Sequence, residues 1–260
     1  MLAQGTSRQM GKARIVDPVK GTTCSMSDLP LQSGQATGGI MHYNGIPSPV
    51  VCGRDWIKNR RNVKGQPKCF IYNKKATKWI AKTTTAAKNR MTSVSLGKWL
   101  LLIGGHINRI GYQKATYFMT GGGDEFQGPN LKTARGLACA AVIKDEGSHK
   151  QFVVIGGKGP DNKNRNDMEV FDCDMRGSRP SCKMDTRQTP QLSQTFVYFG
   201  CGVLETEDGG KVLLVMQGRK STEILDLKAT NWAWKKRKFH LSYFGVHDIL
   251  PVEAFTMLGL

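Results

Sequence analysis

The side chains of this 260-residue chain best suited to chemistry are five histidines and seven cysteines, and their spacing decides which chemistry is open to them. His42, His106, His149, His240 and His247 are scattered with no pair at metal-ligand spacing, and no Cys-x-x-Cys occurs, so no metal site is expected. The run Gly121-Gly122-Gly123-Asp124 lacks the Lys-Ser/Thr that completes a phosphate cradle and lies between strand-like segments, so it reads as a turn. No Gly-x-Ser-x-Gly elbow is present to partner the histidines. The reading is a chain with no catalytic constellation and no cofactor, which leaves binding.

Charge sets the binding candidates. Against 20 acidic residues stand 38 Lys and Arg, a net charge of +18, which attracts polyanions. From Arg54 to Arg90 the only acid is Asp55. Within that stretch Lys58, Arg60, Arg61, Lys64 and Lys68 crowd into what reads as an enlarged inter-strand loop, a candidate binding loop. The competing reading is a solvated basic face, because no aromatic-interleaved or helical recognition motif accompanies the charge. Lys235-Lys236-Arg237-Lys238 matches a basic import or nucleic-acid patch, at a position after Trp234 that also reads as a loop.

The elements that must position these residues repeat. An apolar run ends in a glycine-bearing stop at Gly53, at Gly104-Gly105, at Gly156-Gly157, at Gly218 and at Gly259, intervals of about 50 residues. The runs are β-branched and apolar without alternation, as in strands buried on both faces; Leu101–Ile103, Val153–Ile155 and Leu213–Val215 are predicted to be equivalent. Glycine follows because positive φ or close backbone approach is cheap only without a Cβ. A second landmark, Lys-Ala-Thr-x-Trp, ends at Trp79 and again at Trp232, 153 residues later, or three periods. Each period then holds a strand, a strand ending in glycine, a strand with an aromatic and Asn/Asp, and a fourth strand that carries Trp in the better copies. Four antiparallel strands per period describe a propeller blade.

With its Gly-Gly pairs, Tyr72 and Trp79, and the Thr133–Gly136 segment before a strand, the sequence resembles the kelch-repeat β-propellers, including the galactose-oxidase-like members, over roughly residues 36–260. The resemblance implies an all-β kelch-type propeller at 33–260 after a flexible leader at 1–32. Its units run roughly 36–83, 84–131, 132–188, 189–236 and a partial 237–260: about four blades and part of a fifth. It implies a non-catalytic module presenting inter-blade loops to a protein partner. The alternatives are a polyanion-binding module, for nucleic acid or sulfated glycan, and a galactose-oxidase-like enzyme, whose copper ligands find no match here.

The unit boundaries give the cysteines places. Cys52 ends a second strand and Cys69 opens the third, a candidate disulfide; Cys173 and Cys182 flank a hairpin. Cys139 and Cys201 hold equivalent first-strand positions, which reads as packing. The other reading makes all seven free buried thiols in a reducing cytosol. No apolar h-region follows the first basic residues and no run nears the roughly 18 apolar residues of a membrane span, so membrane insertion is not expected. The expected location is cytoplasmic, or extracellular if the N-terminus is incomplete.

Overall fold

The computed structural model describes residues 2–4, 13–17, 22–30, 36–54, 67–197, 199–217 and 221–237, and their regular structure is entirely β-strand. β1 (Leu2–Gln4), β2 (Ala13–Asp17) and β3 (Thr22–Ser25) pair antiparallel in that order. The leader expected to be flexible thus carries a small sheet. Beyond it, Met26 and Leu29 are buried against Val51, Phe70 and Trp79, apolar contacts that fix the chain's entry.

Four antiparallel four-stranded sheets follow, each in chain order. The first holds β4 (Thr37–Tyr43), β5 (Ile46–Arg54), β6 (Pro67–Asn73) and β7 (Lys78–Thr83). The second holds β8 (Thr92–Leu96), β9 (Trp99–Ile103), then, beyond an inserted hairpin of β10 (His106–Ile107) and β11 (Gly111–Tyr112), β12 (Thr116–Met119) and β13 (Glu125–Gln127). The third holds β14 (Cys139–Glu146), β15 (His149–Ile155), β16 (Met168–Asp174) and β17 (Ser181–Met184). The fourth holds β18 (Gly200–Glu205), β19 (Lys211–Gln217), β20 (Ser221–Asp226) and β21 (Trp234–Arg237). The partial unit proposed for 237–260 lies, but for Arg237, outside the described residues.

Local chemistry closes the hairpins. Between β4 and β5 the two loop residues Asn44 and Gly45 both have positive φ, 50° and 75°, the twist that lets a two-residue turn match two right-twisted strands. Within the sheets, side chains alternate between two apolar layers. Phe152 and Val154 of β15 meet Val94, Leu101 and Phe118 of the second sheet, while Val153 and Ile155 meet Cys201, Leu213 and Val215 of the fourth. Likewise Leu100 and Leu102 face the first sheet and Leu101 and Ile103 the third. Both faces are dry, so these strands show no polar alternation, and each such side chain contributes about 1.5–3 kcal/mol by burial. All three predicted triplets lie in buried second strands. In the fourth sheet the register is one residue along: Val215 opposes Glu223 as Val154 opposes Glu169, so Leu214–Met216 match Val153–Ile155.

The first strands lie side by side in the order β4, β8, β14, β18. Thr37 and Ser93 share a hydroxyl hydrogen bond of 2.8 Å between β4 and β8, and Ser93 also donates to the Gly38 carbonyl. Between β14 and β18 the link is covalent. Cys139 and Cys201, expected to pack as thiols, form a disulfide across a sequence separation of 62. Cys52–Cys69 and Cys173–Cys182 are also disulfides, each joining directly opposed residues of neighbouring strands. A loop as long as that closed by Cys139–Cys201 gains about 4 kcal/mol in the chain-entropy account.

The tryptophan landmark needs correction. Trp79 opposes Tyr72 on β7, in an edge-on ring contact of 5.3 Å, and its indole N–H donates to the Ser27 carbonyl. Its counterpart by register is Trp234, which opposes Leu225 and donates to the Pro190 carbonyl; Trp232 lies in the turn before β21. That turn is longer in the fourth sheet, so the motif kept its spacing while the strand register moved. Replacing Trp79 with alanine is expected to cost about 3–5 kcal/mol because it is buried, and replacing half-buried Trp234 distinctly less. Urea denaturation with an unchanged m-value measures both, and a near-zero loss at Trp79 contradicts the packing described.

Candidate functional site

Because each sheet is an antiparallel meander and the first strands run alongside one another, the connections fall at two ends. At one end lie short turns such as Asn44-Gly45 and Gly147-Ser148. At the other lie the long segments: the β10–β11 hairpin, residues 156–167, and the linkers 84–91, 128–138 and 185–199. The loop carrying Lys58, Arg60, Arg61 and Lys64 departs from this second end, but those four residues lie outside the described residues, as does Gly218. Lys68, the fifth residue of the candidate loop, is half-buried on β6, where it opposes Gly53 and Thr83. Gly53 makes no turn; it stays in β5.

The glycine pairs build this end. Gly104 and Gly105 have φ of 61° and 94°, and Gly156 and Gly157 of 57° and 88°, the left-handed region open to glycine. Gly105 N–H donates to the Arg135 carbonyl and Gly157 N–H to the Phe196 carbonyl, both at 2.9 Å. Each acceptor belongs to the linker entering the next sheet. On the other side, a Cβ on Gly157 would lie 2.6 Å from the Gly136 carbonyl oxygen, and one on Gly105 would lie 3.0 Å from that of Asn89, both in the linker entering the same sheet.

Arg135 and Phe196 are therefore equivalent, yet their side chains differ. Phe196 is buried in the apolar layer between the third and fourth sheets. The Arg135 guanidinium, with no exposed surface, donates to the Gly156 carbonyl at 3.1 Å and pairs with Asp167 and Glu169, each at 2.6 Å. Glu169 also accepts from the backbone N–H groups of Lys132 and Thr133, and at the matching place on β20 buried Glu223 accepts from the N–H and hydroxyl of Ser193. These carboxylates anchor the linkers to the third strands. Arg135 lies inside the Thr133–Gly136 segment singled out in the sequence; its partners Asp167 and Glu169, more than thirty residues on, had no spacing signal.

The β10–β11 hairpin is braced from beneath. Tyr112 is buried, its ring 4.9 Å from that of His106, and its hydroxyl accepts from Arg90 Nη1 at 3.1 Å. Gly136 permits this approach, since a Cβ there would lie 3.0 Å from the Tyr112 ring. Burial, and then the Arg90 charge, holds the His106 pKa below the usual histidine value. At the hairpin tip Ile110 is 72% exposed, flanked by exposed Arg109. At the same end of the third sheet the 156–167 loop is pinned by Arg165 N–H to the Gly157 carbonyl and by Asn162 N–H to that of Gly159, and it presents Lys163. Among the described residues no three His, Cys, Asp or Glu side chains gather as metal ligands would.

No protein-family model and no curated protein matches the sequence. Among solved structures the chain is similar to YjhT, with 12% identity and a TM-score of 0.57, over 85% of this chain and 76% of that one. At this identity the similarity is one of fold.

Removing the Arg135 guanidinium leaves Glu169 buried beside an unfilled space. Arg135→Ala is expected to lose about 3–5 kcal/mol of stability, and Glu169→Gln in the same chain to return part of it, measured by urea unfolding. A loss under about 1 kcal/mol would show that the ion pairs do not anchor the linker.

Proposed function

We propose that the chain is a kelch-type β-propeller, or a portion of one, and serves as a non-catalytic binding module whose long-loop end meets a protein partner. Four face-packed meanders, first strands neighbouring in sequence order and, in the second and third sheets, a glycine pair closing the second strand all support the blade reading.

The observation that carries the functional reading is Ile110. A large apolar side chain, 72% exposed, sits on a hairpin whose base is fixed by Tyr112, His106 and Arg90. Rigid apolar anchors ringed by polar groups are where protein interfaces concentrate their energy, because little conformational entropy is lost on contact. Exposed Arg109 beside it favours a partner with an apolar pocket and an acidic rim.

No helix among the described residues is long and apolar enough to cross a membrane. Three disulfides, one of them between sheets, favour an oxidising compartment over the cytoplasm expected from the sequence.

The test is affinity capture on the immobilised full chain with identification of the bound proteins. Ile110→Asp is expected to weaken capture of the specific partner by about thirtyfold, the equivalent of about 2 kcal/mol, with the circular dichroism spectrum unchanged. Capture of the same proteins at equal affinity by Ile110→Asp and Arg109→Glu would overturn the assignment of the interface.

A further inference from the structure

Between the short turns at 209 and 227–232 and the start of the 185–199 linker, the third and fourth sheets part to form a cleft of about 930 Å³. One wall carries Lys144 and Gln151 of β14 and β15, and the other carries Lys211 of β19 and the 227–232 turn with Lys228 and Trp232; Arg187 closes it from the linker. Four cations and not one carboxylate line this space, whose volume lies in the upper part of the roughly 300–1,000 Å³ usual for small-molecule sites.

The cations differ in how they are held. Arg187 is fixed: Asp185 binds its Nε at 2.6 Å and its Nη2 at 2.5 Å, and the guanidinium lies 5.0 Å from the Trp232 ring centre. Asp185 thereby holds an arginine–indole platform in place. Lys144 and Lys211 pair outward with Glu146 and Glu205 at 3.0 and 3.7 Å, and those carboxylates are 57% and 78% exposed. Pairs so open to water are weak and give way to a ligand. Between the charges stand amides and hydroxyls, among them Gln188, Thr189 and Asn231.

We propose that this cleft binds an anionic oligosaccharide, one bearing sulfate or carboxylate groups. A half-buried indole offers an apolar face to a pyranose ring, the lysines and Arg187 neutralise the acidic substituents, and the amides and hydroxyls bond to sugar hydroxyls. A single indole among the lining residues is not the row of stacking platforms that single-stranded nucleic acid uses. The site is separate from Ile110, and the proposal does not rest on the protein-partner reading.

The test is calorimetric titration of the full chain with a heparin tetrasaccharide, a hyaluronan tetrasaccharide, an uncharged maltotetraose and a short single-stranded DNA. The acidic tetrasaccharides are expected to bind and maltotetraose not to; whichever acidic sugar binds more tightly identifies sulfate or carboxylate as the preferred group. Lys228→Glu and Lys144→Glu are each expected to weaken that binding about tenfold, and Trp232→Ala to weaken it at least as much. Lys163→Glu makes the same change in net charge at the long-loop end, and Ile110→Asp removes the other interface; both are expected to bind the sugar as the parent does. Equal weakening by Lys163→Glu and Lys228→Glu would reduce the binding to net charge and overturn the proposal. So would unchanged binding in the cleft variants, or DNA that binds as tightly as the sugars and responds to the same substitutions.

Discussion

Each of two glycines is squeezed between two linkers, and the arrangement of the sheets depends on that squeeze. Gly105 and Gly157 adopt a left-handed backbone that turns their N–H groups onto the linker entering the next sheet, while their Cα atoms press on the linker entering their own. A side chain would fail on both counts, through the φ it dislikes and through the carbonyl it would strike. The reciprocal bonds between Gly136 and Lys158, at 2.7 and 3.1 Å, seal the same contact. One backbone device thus ties three consecutive stretches of chain together.

With the linkers fixed by backbone alone, the side chains at the docking point are free to differ. Phe196 spends its freedom on the apolar layer, and Arg135 spends it on a buried charge network with Asp167 and Glu169. The same backbone frame holds the base of the β10–β11 hairpin, because Leu137 N–H donates to the Arg90 carbonyl and the Arg90 side chain reaches Tyr112. The candidate interface is therefore held by the same docking that sets one sheet against the next.

What the sequence shows of this follows from how local each feature is. The second strands are legible because burial on both faces leaves an unbroken apolar run, and the Gly-Gly pairs because a left-handed turn demands them. Cys52–Cys69 is legible because an antiparallel third strand brings the two opposite. The Cys139–Cys201 bridge is not, since it crosses between sheets and no spacing encodes that contact. Trp232 misleads because a longer turn shifts the register without altering the motif, and Gly53 misleads because its strand runs on where other units turn. The buried pairs of Arg135 and the convergence of Lys144, Arg187, Lys211 and Lys228 on one cleft join residues far apart in the chain, and only the fold brings them together.

The most direct measurement compares two glycine-to-alanine substitutions by urea denaturation. Gly147 has a positive φ of 68° in a hairpin, with no atom within 4 Å of an added Cβ, whereas Gly157 has a φ of 88° and a carbonyl oxygen 2.6 Å away. Gly147→Ala is expected to cost only the backbone term, about 1–2 kcal/mol, and Gly157→Ala about 1–3 kcal/mol beyond it, as the linkers are forced apart. Equal losses at the two positions would mean that the glycine serves its own turn alone, and that something else holds the sheets together.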